Sequence, residues 1–88
     1  PPPSHASQFG SSVHNTLNDF YQRMRRGDNC TFELMKELYE QHWLPYGYTG
    51  KAHQLARKTK GLEMLKAFMI RILSLNGLFL LFWRSLFL

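Results

Sequence analysis

The 88-residue chain lacks the residues and motifs that mark several common classes of protein. Its one cysteine, Cys30, excludes an internal disulfide framework and a cysteine-rich zinc site, and it fits a reducing compartment such as the cytoplasm. There is no GxxxxGK[ST] phosphate loop, no HExxH or CxxC pair and no GxSxG nucleophile elbow. The sequence therefore carries none of these local signatures of nucleotide-binding, zinc-dependent or serine-hydrolase chemistry.

Acidic residues are also scarce in this chain. Six Asp and Glu residues stand against 11 Lys and Arg residues, which gives a formal charge of +5. This excess favours polyanions such as nucleic acid, or an anionic membrane surface. The chain has no basic start followed by an apolar run, so no signal peptide is visible. Its abrupt start at Pro1 leads us to expect a fragment of a longer protein.

The first half of the chain shows the three- and four-residue apolar spacing of an amphipathic helix. After an extended lead over residues 1–7, this spacing predicts a helix over residues 8–26. Either Ser4 or Ser7 is a suitable N-cap, because a serine oxygen accepts a hydrogen bond from a free backbone N–H of the first turn. Gly27 supplies the left-handed residue that commonly ends a helix.

Two further helices are predicted from the same spacing. Thr31 is the expected N-cap of the second helix, and Pro45 ends it because the residue before a proline is driven out of the α region. The third helix is expected from about Lys51 past Phe68. Gly61 lies inside it, where glycine costs about 1 kcal/mol relative to alanine.

Each predicted helix has one apolar face, and the three faces together predict a small core. In the first helix, Ser12 and its small neighbours keep the first turn slim enough for another backbone to approach. The predicted apolar positions are Phe9, Val13, Leu17, Phe20 or Tyr21, and Met24 in the first helix; Leu34, Met35, Leu38, Tyr39 and Trp43 in the second; and Leu55, Leu62, Leu65, Met69 and Ile72 in the third, with Ala52 and Ala56 as small contacts.

The composition changes after about Met69, where residues 70–88 are dominated by Leu and Phe. A membrane span needs about 20 mostly apolar residues, and the clean apolar run between Gly77 and Trp83 is far shorter. We expect residues 70–88 to be an apolar tail that can be helical and need not be native to the domain of residues 8–69. An anchor for a membrane-associated protein is the alternative.

Four basic residues along the first half of the third helix are the candidate nucleic-acid-binding residues. They are Lys51, Arg57, Lys58 and Lys60. Lysine and arginine make sequence-independent contacts with phosphates, so this basic band is a candidate DNA-facing surface. An ordinary exposed helix face is an equally good explanation. Trp43, Tyr46 and Tyr48 are likewise candidates either for base stacking or for capping the core.

Two interpretations of His14 are open from its spacing alone. Packing beside Phe9 and Leu17 on the first helix is the simpler one. A catalytic or structural metal site takes three or more ligands from His, Asp, Glu or Cys, and His14 has no histidine partner four residues away. On spacing alone it is therefore a lone histidine.

The order of three segments carries more information than any single residue. The segments FGSSVHNTLNDFYQRMRRG, TFELMKELYEQHWLPYGY and KAHQLARKTKGLEMLKAF resemble the opening helical part of the RecB-type nuclease domain, of the PD-(D/E)XK superfamily. Such domains form the C-terminal end of many UvrD/PcrA-like and AddAB-type helicase–nucleases of bacterial double-strand-break repair. The residues that carry the resemblance are Phe9, Gly10, His14, Leu17, Phe20 and Tyr21, then Trp43, Pro45, Gly47 and Tyr48, then Gly61, Leu65 and Phe68.

The resemblance implies that His14 is a ligand of a catalytic Mg²⁺ or Mn²⁺. In that family the histidine acts with an Asp and a Glu-x-Lys from the nuclease sheet, and the metal activates water at the scissile phosphate. Here there is no Glu-x-Lys, and no acidic residue follows Glu63. We therefore expect a partial site at His14, no stably bound metal and no catalysis by this chain alone.

These observations together predict an all-α fold, an incomplete three-helix subdomain followed by an apolar tail. Its partly uncovered apolar faces predict marginal stability or self-association. The expected function is that of a cytoplasmic fragment of a RecB-family helicase–nuclease of DNA repair and recombination, with DNA as its partner. The alternatives are a small membrane-associated helical protein anchored by residues 70–88, and a basic nucleic-acid-binding module with no enzyme ancestry.

Overall fold

A computed structural model describes residues 4–75, which form three α-helices. These are α1 (His5–Arg26), α2 (Phe32–His42) and α3 (Lys51–Leu75). Residues 4–75 contain no β-strand, so the prediction of an all-α fold is confirmed. The helices enclose one core at the place where α3 crosses the α1–α2 pair.

The ends of α1 are fixed by the two capping residues that its sequence offers. Ser4 is the N-cap, and its hydroxyl accepts a hydrogen bond of 3.2 Å from the Ser7 backbone N–H. The helix thus begins at His5, three residues before the predicted start at residue 8, and residues 5–7 of the predicted extended lead are helical. At the other end Gly27 adopts a φ of 91°, and its N–H donates to the Met24 carbonyl at 3.1 Å.

Helix α2 begins and ends close to the predicted residues. The Thr31 hydroxyl accepts a hydrogen bond of 3.1 Å from the Leu34 backbone N–H, so Thr31 is the N-cap as predicted. The backbone is already extended at Trp43, two residues before Pro45. Leu44, the residue before the proline, thus lies outside the helix, as predicted.

The core is formed by the predicted faces of the three helices, with one correction in α3. The fully buried side chains at its centre are Phe20, Met35, Leu38, Tyr39, Leu65 and Met69. Phe20 and not Tyr21 points inward, since Tyr21 is 38% exposed. Leu55 is 65% exposed, and Ala52 and Ala56 are exposed too, so their predicted places on the buried face were wrong.

The physical reason for the exposure of Leu55 lies in the first turns of α3. There Gln54 and Arg57 make the contacts with neighbouring elements. The indole N–H of Trp43 donates to Gln54 Oε1 at 2.7 Å, and the Arg57 guanidinium lies over the Phe9 ring at 4.3 Å. Leu55 lies on the other side of the helix, because α3 turns by about 100° per residue.

Two small polar residues of α1 are completely buried, Ser12 and Thr16. The Ser12 hydroxyl donates to the Gln8 carbonyl at 2.8 Å and accepts from the Leu44 backbone N–H at 2.9 Å. The Thr16 hydroxyl donates to the Ser12 carbonyl at 2.7 Å. Ser12 therefore lets the chain after α2 approach α1 closely, as the small residues of this turn predicted, and the hydroxyls of Ser12 and Thr16 both have partners.

Helix α3 continues through the predicted boundary between residues 8–69 and 70–88. Met69 is fully buried, and the residue after it, Ile70, is partly buried against the core. The first residues of the predicted tail are thus part of the same helix, and residues 76–88 lie outside the described part of the chain. Among residues 4–75, no helix combines the length and the apolar character needed to cross a bilayer.

Helix α3 lies close to the other two helices at Gly61, which is buried. The Tyr39 hydroxyl reaches across from α2 and donates to the Lys58 carbonyl at 2.8 Å. A Cβ at position 61 would overlap that hydroxyl and would lie 2.9 Å from Cε2 of Phe9. Glycine is needed here for close approach, since its φ is not in the left-handed region.

We expect Gly61→Ala to lower the free energy of unfolding by about 1–3 kcal/mol, because an added methyl group forces the packed rings of Tyr39 and Phe9 apart. The matched control is Gly10→Ala in α1, where an added Cβ meets nothing within 4 Å. That variant should raise the free energy of unfolding by about 0.5–1 kcal/mol. Urea unfolding followed by circular dichroism measures both, and a stabilised Gly61→Ala variant would contradict this packing.

Candidate functional site

His14, the predicted metal ligand, is exposed on α1. The buried positions of α1 are Phe9, Ser12, Thr16 and Phe20. At about 100° per residue, His14 faces away from the middle of that buried stripe. The core therefore does not explain why a histidine occupies this position.

The residues around His14 do not complete a metal site. Asn18 and Tyr21, one and two turns further along α1, share its face of the helix. The nearest carboxylate in α1, Asp19, is turned toward α2 and is bound there to His42. Residues 4–75 contain no group of three or more His, Cys, Asp or Glu side chains placed to hold a metal ion. Because Mg²⁺ and Mn²⁺ prefer several oxygen ligands, the described residues do not fit such a site.

The four residues of the predicted basic band are not brought together on one surface. Lys51 and Lys60 are exposed, but they are nine residues apart and face opposite sides of α3. Arg57 lies over the Phe9 ring, and its Nε is buried without a hydrogen-bond partner among the described residues. Lys58 forms an ion pair of 2.8 Å with Glu40 of α2. Two members of the band thus hold α3 against α1 and α2, and two remain available to a phosphate.

A hydrogen bond that sequence reasoning missed joins α1 to the end of α2. The His42 Nε2–H donates to Asp19 Oδ2 at 2.8 Å, and Arg23 contacts the other carboxylate oxygen at 3.3 Å. The hydrogen bond from His42 holds the pKa of the Asp19 carboxyl below its ordinary value of 3.8; burial opposes this effect, and the Arg23 charge adds to it. The only signal in the sequence was the four-residue spacing of Asp19 and Arg23.

A shallow polar cleft of about 230 Å³ runs beside this pair. It is lined by Asn15, Asn18, Asp19, Gln22 and His42. The lining contains one acidic group, already paired with His42 and Arg23, and three amides. It has neither the apolar walls of a cofactor pocket nor an unpaired group that would act as a general base.

The aromatic residues after α2 form a cluster with two histidines at one end of the molecule. Trp43 stacks on Tyr48, with ring centres 5.4 Å apart and planes inclined by 20°. Tyr39 contacts Trp43 edge-on at 5.5 Å, which connects the cluster to the core. Of the three predicted candidates for base stacking, Trp43 and Tyr48 therefore cap the core, whereas Tyr46 is exposed.

His5 and His53 complete this cluster. Their ring centres are 4.8 Å apart, and Tyr48 contacts both rings. Sequence reasoning considered only histidines four residues apart, so a pair formed by the start of α1 and the first turn of α3 had no local signal.

Comparison of the chain with protein-family models, curated proteins and solved structures gave no match. The resemblance to RecB-type nuclease domains therefore rests on the sequence segments themselves.

Acid should weaken the contact between α1 and α2 through Asp19. The pKa of this carboxyl is lower in the folded state than its ordinary 3.8, so ionised Asp19 contributes stability above that pH. The contribution is lost as the pH falls through the folded-state pKa. We expect Asp19→Asn to lose up to about 1 kcal/mol of unfolding free energy near neutral pH, a partly exposed ion pair contributing no more than that.

Urea unfolding of the wild type and of Asp19→Asn, near neutral pH and in strong acid, measures the difference in their free energies of unfolding. This difference should shrink toward zero in acid. Glu33→Gln is the control, because Glu33 pairs with Lys36 at the surface and should change stability by less than about 0.5 kcal/mol. A difference between wild type and Asp19→Asn that stayed constant into strong acid would contradict a role for the carboxylate charge.

Proposed function

We propose that this chain is the helical N-terminal part of a RecB-type PD-(D/E)XK nuclease domain, from a cytoplasmic helicase–nuclease of DNA repair and recombination. The ordered resemblance of its three segments supports this. Several of the residues that carry the resemblance stabilise the fold. Phe9, Phe20, Gly61 and Leu65 are buried where the helices meet. His14 differs from these residues because it is exposed, so packing does not account for a histidine at this position. A functional role would account for it.

The observation that carries the proposal is the character of the surface around His14. Tyr21 shares the His14 face of α1, and the Phe68 ring of α3 contacts Tyr21 edge-on at 6.4 Å. These two rings are 38% and 39% exposed, and Met64, one turn before Phe68, is 45% exposed. An exposed histidine beside exposed aromatic rings is typical of a surface that another layer covers.

In a complete nuclease domain that layer is the sheet that carries the Asp and the Glu-x-Lys. This chain supplies one imidazole, which would be joined there by the acidic ligands of a Mg²⁺ or Mn²⁺ ion. Within the 88 residues no Glu-x-Lys occurs. The chain on its own is therefore proposed to be inactive as a nuclease, and no catalytic step is assigned to it.

DNA is the proposed partner, and Lys51 and Lys60 are the exposed members of the basic band. Their long side chains have no ion-pair partner within residues 4–75 and are suited to phosphate contacts, whereas Arg57 and Lys58 are engaged in packing. Contacts of this kind carry no sequence information and weaken as salt rises. The proposal thus expects weak binding without sequence preference.

We expect the exposed surface of Tyr21, Met64 and Phe68 to cause self-association of the isolated chain. Phe68→Glu should lower the association constant by at least about tenfold, because a charge would have to be desolvated in the contact. Leu55→Glu is the matched control: it places the same charge on a 65% exposed apolar residue elsewhere on α3. Sedimentation equilibrium measures both, and a wild-type chain that is monomeric at every concentration would contradict the prediction.

The proposed partner is tested with linear duplex DNA. Binding measured by fluorescence anisotropy should fall as salt rises, and the Lys51→Ala/Lys60→Ala double variant should reduce the salt slope by about 1 for each lysine that contacts a phosphate. Lys36→Ala is the control, because Lys36 pairs with Glu33 on α2.

Cleavage of the same DNA with Mg²⁺ or Mn²⁺ tests the proposed inactivity. We expect no cleavage by this chain. Cleavage that is present in the wild type and abolished in His14→Ala would contradict the inactivity, and DNA binding unaffected by salt would contradict the partner.

A further inference from the structure

The two histidines at the start of α1 and α3 are separated by most of the described chain, yet their rings meet. The ring centres of His5 and His53 are 4.8 Å apart, with planes inclined by 76°. Both side chains are half-buried, so their rings lie at the surface of the aromatic cluster and remain within reach of solvent. The remaining ring contact of His5 within residues 4–75 is with Tyr48, at 6.0 Å.

This spacing suits two imidazoles that bind one ion. An imidazole nitrogen binds Zn²⁺ at about 2.0–2.1 Å, which places the centres of two rings on one tetrahedral ion about 5 Å apart. The observed 4.8 Å agrees with that distance. The torsion that turns a histidine ring has a broad energy minimum, so each ring can turn about its Cβ–Cγ bond toward a shared ion.

The lone pair of His53 can be located from its hydrogen bond. His53 Nδ1 accepts a bond of 3.1 Å from the backbone N–H of Thr49, and Nδ1 is therefore the unprotonated nitrogen. Thr49 is exposed in the loop before α3. A metal ion at Nδ1 would replace this bond, and water would satisfy the released N–H at small cost.

We propose that His5 and His53 form a two-imidazole binding site for a late first-row divalent ion, Zn²⁺, Ni²⁺ or Cu²⁺, with water in the remaining positions. Imidazole is a preferred ligand of these ions and a poor one for Mg²⁺. The site is separate from His14 and independent of the proposed nuclease ancestry. A bound ion would fasten the first turn of α1 to the first turn of α3.

Tyr48 is excluded as a third ligand although it contacts both rings. Its hydroxyl is buried, whereas both imidazoles lie within reach of solvent. Two protein ligands make a weaker site than the three or four of a catalytic or structural zinc centre.

The test is metal titration of the tag-free chain, measured by Tm from circular dichroism and by titration calorimetry. Saturating Ni²⁺ should raise Tm by several degrees, because an ion that binds only the folded state stabilises it. His5→Ala and His53→Ala should each weaken Ni²⁺ binding by at least about tenfold, since even loss of an outer-shell partner costs that much.

His42→Ala is the matched control, a half-buried histidine at the end of α2 and outside the aromatic cluster, and it should bind Ni²⁺ as the wild type does. Mg²⁺ should leave Tm unchanged. Calorimetry at low temperature gives the affinity even if a variant is less stable. Equal affinities in the wild type and in both His5→Ala and His53→Ala would overturn the proposal, as would a loss of binding confined to His42→Ala; neither result depends on whether the chain binds DNA.

Discussion

Helix α3 lies close against the other two helices at Gly61, and the rest of the fold depends on this close approach. The Tyr39 hydroxyl can reach the Lys58 carbonyl, and the Phe9 ring can lie beside it, because position 61 has no side chain. Two further turns of α3 then bring Leu65 and Met69 into the centre of the core. A side chain at position 61 would separate α3 from both partners at once, and the small core has few other contacts to compensate.

The same approach explains which polar groups are available for function. It places Arg57 over Phe9 and Lys58 beside Glu40, so half of the basic band is used to hold the helices together. It also brings the first turn of α3 to the start of α1, where His53 meets His5. The outer face of α1, with His14, is left without a covering element among the described residues. The packing at Gly61 thus brings His5 and His53 together at one end of the helices, and it leaves the His14 face of α1 uncovered within residues 4–75.

Much of this fold could be predicted from local patterns. The caps Ser4, Thr31 and Gly27 act through neighbouring backbone groups, and the apolar stripes of α1 and α2 follow a fixed helical period, so a linear sequence displays both. The exposure of Leu55 could not be predicted in this way, because it depends on where α3 crosses its partners and not on its own spacing. The Asp19–His42 and His5–His53 pairs are tertiary contacts between residues far apart in the chain, and no helical period connects them. His14 was proposed as a metal ligand because of its place among three ordered segments. Its exposure could be seen only in the structure.

The central claim is that the His14 face of α1 is one part of a nuclease site whose acidic residues lie on a separate sheet. The nucleotide sequence downstream of the Leu88 codon tests it most directly, read in all three frames over the length of a nuclease domain. The account predicts codons for an Asp and for a Glu-x-Lys, each within a segment of alternating apolar residues that favours a β-strand. A downstream region with no such pair in any frame would contradict it.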